Sequence, residues 1–436
     1  MAKQKPLFKW NPEMSDRQFT VLSWWASDKY KDRDGIICDG SIRSGKTVSM
    51  GFSYVMWAME NFDGQDFIMA GKTISTLRRN VINTLKKQIN QRPGWTAEEK
   101  RNDHLMIVRH KGRVNTFYFF GGDNEASQDK VQGLTAAGAF FDEVALMPES
   151  FVDQATGRCS VDGSKFWFNC NPAGPMHWFK QKWINLAWVK NLLYLHFTMA
   201  DNFSLSEKIR KRYESMYSGV FYQRYINGLW VAAEGLIYDM FNAAKHIFSD
   251  VIETAGSYFV SCDFGIQNAT VFQLWRKEKN GKRWLMLDEL RYSGRENRKQ
   301  KTVSQLVSDL KDWLHGIIPE KIIVDPSATA LIAELRPAGY EIKKALNDVI
   351  EGISDVATAL QMGLIGIAKK CKACIEEFGV YSWDSKKADR GEDAPIKEHD
   401  HSMDALRYFV KTMRLIKNEK ENQKLQVQLI NNIYLR

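Results

Sequence analysis

Residues 40–47 have the types and spacing of a phosphate-binding loop. They read Gly-Ser-Ile-Arg-Ser-Gly-Lys-Thr, the pattern G-x-x-x-x-G-K-T, between an apolar run at 36–38 and a helix-like stretch at 48–59. In such a loop, backbone N–H groups surround the phosphates, Lys46 meets the outer phosphate oxygens, and the Thr47 hydroxyl holds Mg²⁺. A helix N-terminus also favours phosphate, so the context argues against a chance match. We expect a nucleoside triphosphate, ATP, to be bound and hydrolysed by Gly40, Ser41, Arg43, Ser44, Gly45, Lys46 and Thr47.

An apolar run that ends in two acids, residues 139–143, supplies a partner for this loop. Hydrolysis requires a carboxylate that orients Mg²⁺ and a second polar group that positions water. Asp142 is predicted to contact the metal and Glu143 to orient or deprotonate the water. The alternative is a core strand that ends in two solvated acids, which the intact loop upstream makes the weaker interpretation.

Three further polar residues are candidates around the nucleotide. Arg43 is predicted to approach the γ-phosphate in cis and stabilise developing charge, or else to face solvent. Asn171 follows the apolar segment 166–170 and is predicted to sense the γ-phosphate. Gln18 precedes a Trp pair at 24–25, and its amide can read the adenine edge, although most Gln side chains are simply solvated.

The pattern of the first half alternates between strands and helices. Residues 66–71 read as a strand, 74–88 as a helix rich in Lys and Arg, and 106–120 as a hairpin with its turn at 111–112. This order predicts a largely parallel sheet with helices on both faces. The basic helix faces either DNA or, as is usual for a charged helix face, solvent.

The second half begins a new pattern, and we place the ATPase domain at 1–230, an irregular linker at 231–255 and a second domain at 256–436. Strands are predicted at 257–263, 270–276 and 283–290, with a hairpin turn at 279–282. A helix at 303–315, a strand at 322–325, helices at 329–336 and 348–362, and a last helix from about Asp400 follow. Three antiparallel strands followed by alternating helix and strand match the ribonuclease H-like order, so the chain is predicted to be α/β in both halves.

Three aspartates lie at matched ends of these elements. Asp263 ends the first strand, Asp325 follows the fourth and Asp404 lies on the final helix. Clustered carboxylates repel unless divalent cations neutralise them, and two Mg²⁺ or Mn²⁺ ions can clamp a phosphodiester. Each Asp alone could be an ordinary cap. Nearby supporting candidates are His399, His401, Asp288 and Glu289.

Composition limits the class of protein. At 436 residues with 44% hydrophobic content, the chain can bury two cores, because single cores stop growing near about 250–300 residues. A formal charge of +9 suits nucleic acid, although a basic solvated surface explains the charge nearly as well. No signal peptide or spanning segment is recognisable, so we expect a soluble intracellular protein without a membrane partner. The scattered cysteines fit a reducing compartment, and Cys371 and Cys374 are expected to be packed thiols.

Over most of its length the chain resembles the large terminase subunit of tailed bacteriophages. The resemblance rests on a set of motifs quoted as they stand here: the loop with its internal Arg43, Asp142-Glu143, Asn169-Cys170-Asn171-Pro172, Pro175-x-His177-Trp178-Phe179, His196-Phe197-Thr198 with Asp201-Asn202, Gly228-Leu229-Trp230, and Asp400-His401-x-Met403-Asp404-Ala405-Leu406-Arg407-Tyr408. One departure is Asn169, where the family often has a hydroxyl residue.

The resemblance implies an N-terminal ATPase that translocates double-stranded DNA into a procapsid and a C-terminal nuclease that cuts concatemers. By this correspondence Glu143 drives hydrolysis, Asn171 couples it to movement, and Asp263, Asp325 and Asp404 hold the nuclease metals. It also implies as partners a small terminase subunit, the portal protein and a ring of copies on the portal, with a monomer in solution equally compatible. The place of action would be the host cytoplasm and, transiently, the portal, and the chain would not be a virion component. The polar segment 417–436 would contact the portal or a subunit.

Three other classes of protein compete with this interpretation. A helicase with a structural, non-cleaving second domain keeps only the ATPase half. A transposase-like recombinase has the acidic triad but does not need the phosphate loop. A non-enzymatic capsid or DNA-binding protein explains the charge but neither acidic constellation. The pairing of loop and triad on one chain favours motor plus nuclease.

Overall fold

The chain is described by a computed structural model covering residues 14–249, 252–265, 268–279 and 281–416. It separates into two compact units. Of the described residues, 14–214, 222–232 and 389–392 belong to the first unit, and the others belong to the second. The polar tail predicted at 417–436 lies outside the described residues.

A mostly parallel sheet forms the centre of the first unit. Its strands are β1 (Gly35–Gly40), β2 (Asp66–Gly71), β3 (Trp95–Lys100), β4 (Leu105–His110), β5 (Arg113–Gly121), β6 (Gly138–Asp142), β7 (Lys165–Asn169) and β8 (Leu192–Phe197). Over the described residues the order is β3-β4-β5-β2-β6-β7-β1-β8, and only the β3–β4 and β4–β5 pairs are antiparallel. All residues of β1 and β6 are buried, as expected for central parallel strands that are covered on both faces.

Helices cover both faces of this sheet. The α-helices are α1 (Asp16–Ser23), α2 (Lys46–Asn61), α3 (Ile74–Leu77), α4 (Asn83–Asn90), α5 (Glu149–Gly157) and α6 (Glu207–Glu214). Between them lie 3₁₀ turns at Trp24–Ala26, Glu125–Val131, Val144–Leu146 and Met199–Asp201, and π-helical turns at Arg78–Ile82, Lys180–Ile184 and Tyr222–Ile226. The basic helix predicted at 74–88 is therefore interrupted by a π-helical turn.

Aromatic side chains fill the two cores of the first unit. On one face, the rings of Trp57 and Trp167 lie 4.8 Å apart, and Tyr54 packs against both. On the other face, Phe141 of β6 stacks on Phe168 of β7 at 5.1 Å. Ring contacts of this kind add to the large apolar area that each aromatic buries. They fix the spacing of β6 and β7, whose ends carry the predicted site residues.

The second unit is built on a mixed sheet. Its strands are β9 (Ile247–Phe248), β10 (Thr254–Asp263), β11 (Ala269–Glu278), β12 (Trp284–Ser293), β13 (Lys321–Val324), β14 (Ile342–Lys344) and β15 (Ile365–Ala368). In the described part of the chain they lie in the order β14-β13-β10-β11-β12-β15-β9. The β10–β11 and β11–β12 pairs are antiparallel, whereas β13 runs parallel to β10. This arrangement confirms the predicted ribonuclease H-like order.

The helices of this unit are α7 (Gly219–Phe221), α8 (Ala243–His246), α9 (Val303–Trp313), α10 (Thr329–Leu335), α11 (Val349–Gln361), α12 (Lys372–Phe378), α13 (Ser385–Ala388) and α14 (His401–Thr412). Helix α14 packs across the sheet, where Phe409 stacks on Trp275 of β11 at 4.1 Å between ring centroids. The described helices include none that is both long enough and apolar enough to cross a bilayer.

The segment predicted as an irregular linker, 231–255, contains regular structure. Helix α8 and strand β9 lie within it, and β9 pairs in parallel with β15. His246 Nε2 lies 3.1 Å from the Leu360 carbonyl oxygen, which ties α8 to the end of α11. Two hydrogen-bonded residues of β9 are too short a run to give a strand pattern, which is why the sequence predicted only a connector.

Candidate functional site

The phosphate loop connects β1 to α2 through two glycines in left-handed backbone conformations. Gly40 has φ 123° and Gly45 has φ 88°. A Cβ atom added to Gly40 would lie 1.9 Å from the Phe197 carbonyl oxygen, so no other residue fits there without movement of β8. The loop therefore requires glycine for close packing as well as for conformational freedom.

Lys46 is buried and folds back onto the loop. Its Nζ donates to the carbonyl oxygens of Gly40 at 3.0 Å and Ser41 at 2.7 Å, and lies 3.3 Å from Asn171 Oδ1. Burial lowers the pKa of Lys46 to about 8. The Ser41 hydroxyl is also buried, and within the described residues it has no hydrogen-bond partner. A polyanion in this loop would stabilise the ammonium and give Ser41 an acceptor.

Asn169 joins the loop to the acid strand. Its Nδ2 donates to Thr47 Oγ1 at 2.8 Å and to Asp142 Oδ1 at 2.6 Å. This contact follows from the sheet order, because β7 lies between β1 and β6 and pairs in parallel with both. Burial, reinforced by the neighbouring Glu143, raises the pKa of Asp142 to about 7.

These residues fit a divalent cation. Thr47 and Asp142 offer the hard oxygen ligands that Mg²⁺ prefers, and Asn169 Oδ1 is buried without a partner among the described residues. Burial is the main cause of the raised pKa of Asp142, and a cation beside this carboxyl group would favour its charged form. The predicted Thr47 and Asp142 are thus brought together.

The other three nucleotide-site predictions lie around the same loop. Glu143 directly follows β6 in a left-handed conformation, φ 58°, which is uncommon for a side chain of this kind. The Arg43 guanidinium lies over the Tyr213 ring at 5.3 Å. Gln18 Nε2 would lie 2.4 Å from a Cβ on Gly45, so its amide borders the loop, while its Oε1 accepts from Ser15 N.

Sequence reasoning missed a buried carboxylate beneath the loop. Asp39 is fully buried, its Oδ2 accepts from Trp230 Nε1 at 2.6 Å, and its Oδ1 lies 2.9 Å from His196 Nδ1. Nearby, Ile42 N donates to the Tyr225 carbonyl oxygen at 2.9 Å. Through these hydrogen bonds, residues 225–230 support the phosphate loop and the end of β1.

In the second unit, the structure places the three aspartates at one edge of the sheet. Cys262 pairs with Val324, so the next residues, Asp263 at the end of β10 and Asp325 directly after β13, lie at the carboxyl ends of adjacent parallel strands. Asp404 lies in the first turn of α14, which begins beside Asp263 because His401 Nδ1 lies 2.8 Å from Asp263 Oδ2. This hydrogen bond raises the pKa of His401.

Each aspartate has its own protein partners. Asp325 accepts from Ser327 Oγ at 2.6 Å and from Asn347 Nδ2 at 3.0 Å, and Asp404 accepts from Arg407 Nη2 at 2.9 Å. Among the described residues, no three His, Cys, Asp or Glu side chains are placed so that they could hold a metal ion. The side chains share an edge and have the hard oxygen ligands that Mg²⁺ or Mn²⁺ requires, but they are turned toward neighbours.

Tyr408 shows that the three acids nevertheless interact. Burial raises the pKa of Tyr408, and the negative charges of Asp404, Asp263 and Asp325 raise it further. The pKa of Asp263 is raised by burial, with a contribution from Asp404. These three acids, the acidic cluster, therefore all act on the Tyr408 phenol, although Arg407 and Lys397 pair with Asp404 and His401 pairs with Asp263.

The supporting candidates near this edge have structural partners. Glu289 accepts from Ser402 Oγ at 2.7 Å and from Cys374 N at 3.0 Å, and Asp288 pairs with Lys370 at 2.6 Å. Cys374, like Cys371, is a buried free thiol. These contacts anchor the start of α14 and the neighbouring α12.

Comparison with known proteins decides the family. The chain is similar to the large terminase of a thermophilic bacteriophage, with 53% identity, a TM-score of 0.88, and coverage of 92% of this chain and 98% of that one. The chain belongs to the large terminase family. The N-terminal model of T4-like large terminase subunits also matches residues 37–245. No curated protein sequence matches the chain.

The chain is also similar to two further structures of the large terminase from the same thermophilic phage. One is a complex with ADP, at 52% identity and a TM-score of 0.86, and the other a complex with ATP-γ-S, at 52% identity and a TM-score of 0.85. Each match covers 92% of this terminase chain and 99% of the other. The predicted family and the predicted two-part α/β fold are confirmed.

Proposed function

We propose that the chain is a viral DNA-packaging motor and nuclease, in which ATP hydrolysis drives double-stranded DNA into a procapsid and the second unit cuts concatemeric DNA. Membership of the large terminase family supports this assignment. The observation that carries it is the bridge from Asn169 to Thr47 and Asp142, because it assembles both halves of a hydrolysis site. The ADP and ATP-γ-S complexes of the thermophilic phage relative support ATP as the nucleotide.

In the proposed ATPase reaction, the loop holds the phosphates and Lys46 leaves its carbonyl partners for the outer phosphate oxygens. Glu143 orients and deprotonates the attacking water, and Arg43 moves from Tyr213 to the γ-phosphate. Asn171 is already 3.3 Å from Lys46 Nζ, so displacement of Lys46 by a γ-phosphate would change this contact. That change is the proposed coupling between hydrolysis and movement.

In the proposed nuclease reaction, Asp263, Asp325 and Asp404 turn toward a common centre at the sheet edge. Bound Mg²⁺ or Mn²⁺ would supply charge stabilisation at the attacking and leaving oxygens of the phosphodiester. Ser327 and Asn347 donate to Asp325 and so hold this carboxylate in place. His401 holds Asp263 in the same way.

The proposed partners follow from the motor. They are double-stranded DNA, a small terminase subunit, the portal protein, and further copies of the chain in a ring on the portal, in the host cytoplasm. The basic exposed side of α4 and of the π-helical turn before it supports DNA as a partner. No Asp or Glu occurs between residues 72 and 97, whereas Arg79 and Lys87 are exposed there.

Cleavage of a supercoiled plasmid, measured together with ATP hydrolysis, tests the proposal. The intact chain is compared with Lys46→Ala and Asp325→Ala in Mg²⁺ and in Mn²⁺. We expect Lys46→Ala to abolish hydrolysis and retain cutting, and Asp325→Ala to do the reverse. An intact chain that hydrolyses ATP and never cuts with either metal would favour the helicase alternative.

A further inference from the structure

Two groups of basic side chains border the three aspartates at the same edge of the second sheet. On one side, β12 ends at Ser293, which pairs with Ala269 at the start of β11, next to the end of β10. The loop that follows, residues 294–301, therefore begins at the edge that carries Asp263. On the other side, β14 runs parallel to β13 and ends at Lys344, opposite Val324.

The loop after β12 is held in place by its own backbone. Asn297 N donates to the Ser293 carbonyl oxygen at 3.0 Å, and Lys299 N donates to that of Gly294 at 3.1 Å. The Tyr292 hydroxyl donates to the Lys299 carbonyl oxygen. The side chains on this loop are therefore carried by a defined turn.

Three cations of this loop lack a counter-charge. Arg295, Arg298 and Lys299 are exposed, and in the described part of the chain none of them forms an ion pair. Their basic neighbours differ, because Arg291 pairs with Glu296, and Lys301 pairs with Asp309. The acids available in the loop region are thus already used.

Exposed cations without a counter-charge also lie on the opposite side of the acidic cluster. Lys343 and Lys344 of β14 are exposed, and neither forms an ion pair with any described residue. Adjacent strands lie about 4.8 Å apart, so the four strand intervals from β14 to β12 span roughly 19 Å. Phosphates follow one another at about 3.4 Å along one DNA strand, so this width corresponds to about five or six of them.

We propose that these two groups of cations bind the phosphate backbone of the duplex and place it across the acidic edge, the sheet edge that carries Asp263, Asp325 and Asp404. The cations are Arg295, Arg298 and Lys299 on one side, and Lys343 and Lys344 on the other. The inference rests on the proposed nuclease function and names the surface that orients its substrate. Fixed cations are needed there because the carboxylates repel the phosphodiester. The contacts are to the backbone, so binding by this surface is independent of sequence.

Binding of a short fluorescent duplex in EDTA, measured by anisotropy between about 50 and 200 mM salt, separates this role from catalysis. The loop variant is Arg295→Ala/Arg298→Ala/Lys299→Ala. Its control is Lys277→Ala/Lys279→Ala/Lys282→Ala, which removes the same charge from the far end of the same hairpin. Lys277 lies about eight residues along β11 from Ala269, or roughly 27 Å. That distance exceeds the Debye length of about 8–10 Å, so the control cations contribute little at the acidic edge.

We expect the loop variant to bind the duplex more weakly and to lower the slope of log K against log salt by about 2–3, since each lost phosphate contact removes about 0.9. The control should keep the slope of the intact chain. Arg295→Lys/Arg298→Lys should also keep it, because the charge is retained. With Mn²⁺, the loop variant should show a raised KM for DNA and a nearly unchanged kcat.

Equal affinities and salt slopes for the loop variant and its control would overturn the inference. The plasmid assay decides the nuclease proposal independently, because cleavage by the intact chain does not depend on which cations bind the duplex. Thermal unfolding of each variant confirms that exposed substitutions leave the fold intact.

Discussion

A single side-chain amide links the glycine-rich loop at 40–47 to the acidic end of β6. Asn169 Nδ2 holds the Thr47 hydroxyl and the Asp142 carboxylate at the same time. Serine, with the hydroxyl that the family often has at this position, carries one O–H donor and can serve only one of the two acceptors at a time. We therefore expect the residue type at position 169 to affect how Thr47 and Asp142, the proposed metal ligands, are aligned, and to leave the loop at 40–47 unchanged.

We expect Asn169→Ala to lower kcat for ATP hydrolysis by about 10–100-fold, the usual effect of losing a group that orients metal ligands. The affinity for ATP-γ-S should change little, because Lys46 and the loop backbone remain. The kcat of Asn169→Ser should lie between those of the intact chain and Asn169→Ala. Phosphate release and equilibrium binding separate kcat from affinity, and an Asn169→Ala chain with normal kcat would contradict this role.

Motif residues could be predicted from sequence because their spacing is local. The loop and the 142–143 acid pair each occupy consecutive positions, and the sheet brings them together as expected. The link from Asp39 to Trp230 could not be predicted, since the two residues are 191 positions apart and the motif that contains Trp230 does not indicate its partner. The position of Tyr408 near all three acids could not be predicted either, because it depends on β10, β13 and α14 meeting at one edge of the sheet.

Among the elements of the first unit, β1 and β8 approach so closely that a side chain at the end of β1 is excluded. We expect Gly40→Ala to lower the free energy of unfolding by about 3 kcal/mol or more, because the added Cβ meets the Phe197 carbonyl. Gly64→Ala is the matched control. Gly64 also has positive φ, 68°, but no atom lies within 4 Å of its added Cβ.

The control substitution should therefore cost only the strain of a left-handed residue, about 1–2 kcal/mol. Denaturant unfolding of both variants measures the difference. Equal losses for the two glycines would show that backbone conformation, and not the approach of β8, sets the requirement at Gly40.

Helix α14 is held at its start by a buried carboxyl group. Glu377 accepts from Ser402 N at 2.8 Å and Met403 N at 3.1 Å, and burial raises its pKa from 4.5 to about 7. Because the folded-state pKa lies above the unfolded value, the folded chain binds this proton more tightly. The resulting stability is fully present below about pH 4.5 and is lost as pH rises through about 7.

The parent chain should thus lose up to about 3 kcal/mol of unfolding free energy from this group between these pH values. Glu377→Gln keeps an acceptor for the two amides but cannot titrate, so it should lack that component. Unfolding of both chains at pH 5 and pH 7.5 gives the difference. A pH dependence identical in the two chains would assign the titration to other groups.

The long central elements of both sheets were predictable because apolar runs end in polar residues or turns. Two of the strands that the sequence did not predict, β14 and β3, have a physical reason in common. β14 has only three residues, two of them exposed lysines, and β3 carries two glutamates and a lysine at the edge of its sheet. Edge strands are half solvated, so the apolar pattern that identifies a strand is absent. The π-helical turn at Arg78–Ile82 likewise has no signature in sequence.

At the scale of the whole molecule, the two units have separate cores and separate sites. We expect two thermal transitions, of which ATP-γ-S raises only one, since a ligand stabilises the unit that binds it. At about 100 times Kd the gain is about 2.7 kcal/mol. Lys46→Ala should remove the shift and leave the other transition unchanged. Calorimetry would contradict this picture if nucleotide moved both transitions equally.

The first unit is completed by a short segment from late in the chain. Residues 389–392 belong to it, and an added Cβ on Gly391, φ 82°, would lie 2.4 Å from the Met176 carbonyl oxygen. This piece follows Ala232 by roughly 150 residues, which a ribosome synthesises in about 8–30 s at its usual rate. During each round of synthesis, that part of the surface of the first unit therefore stays uncovered until most of the second unit has been made.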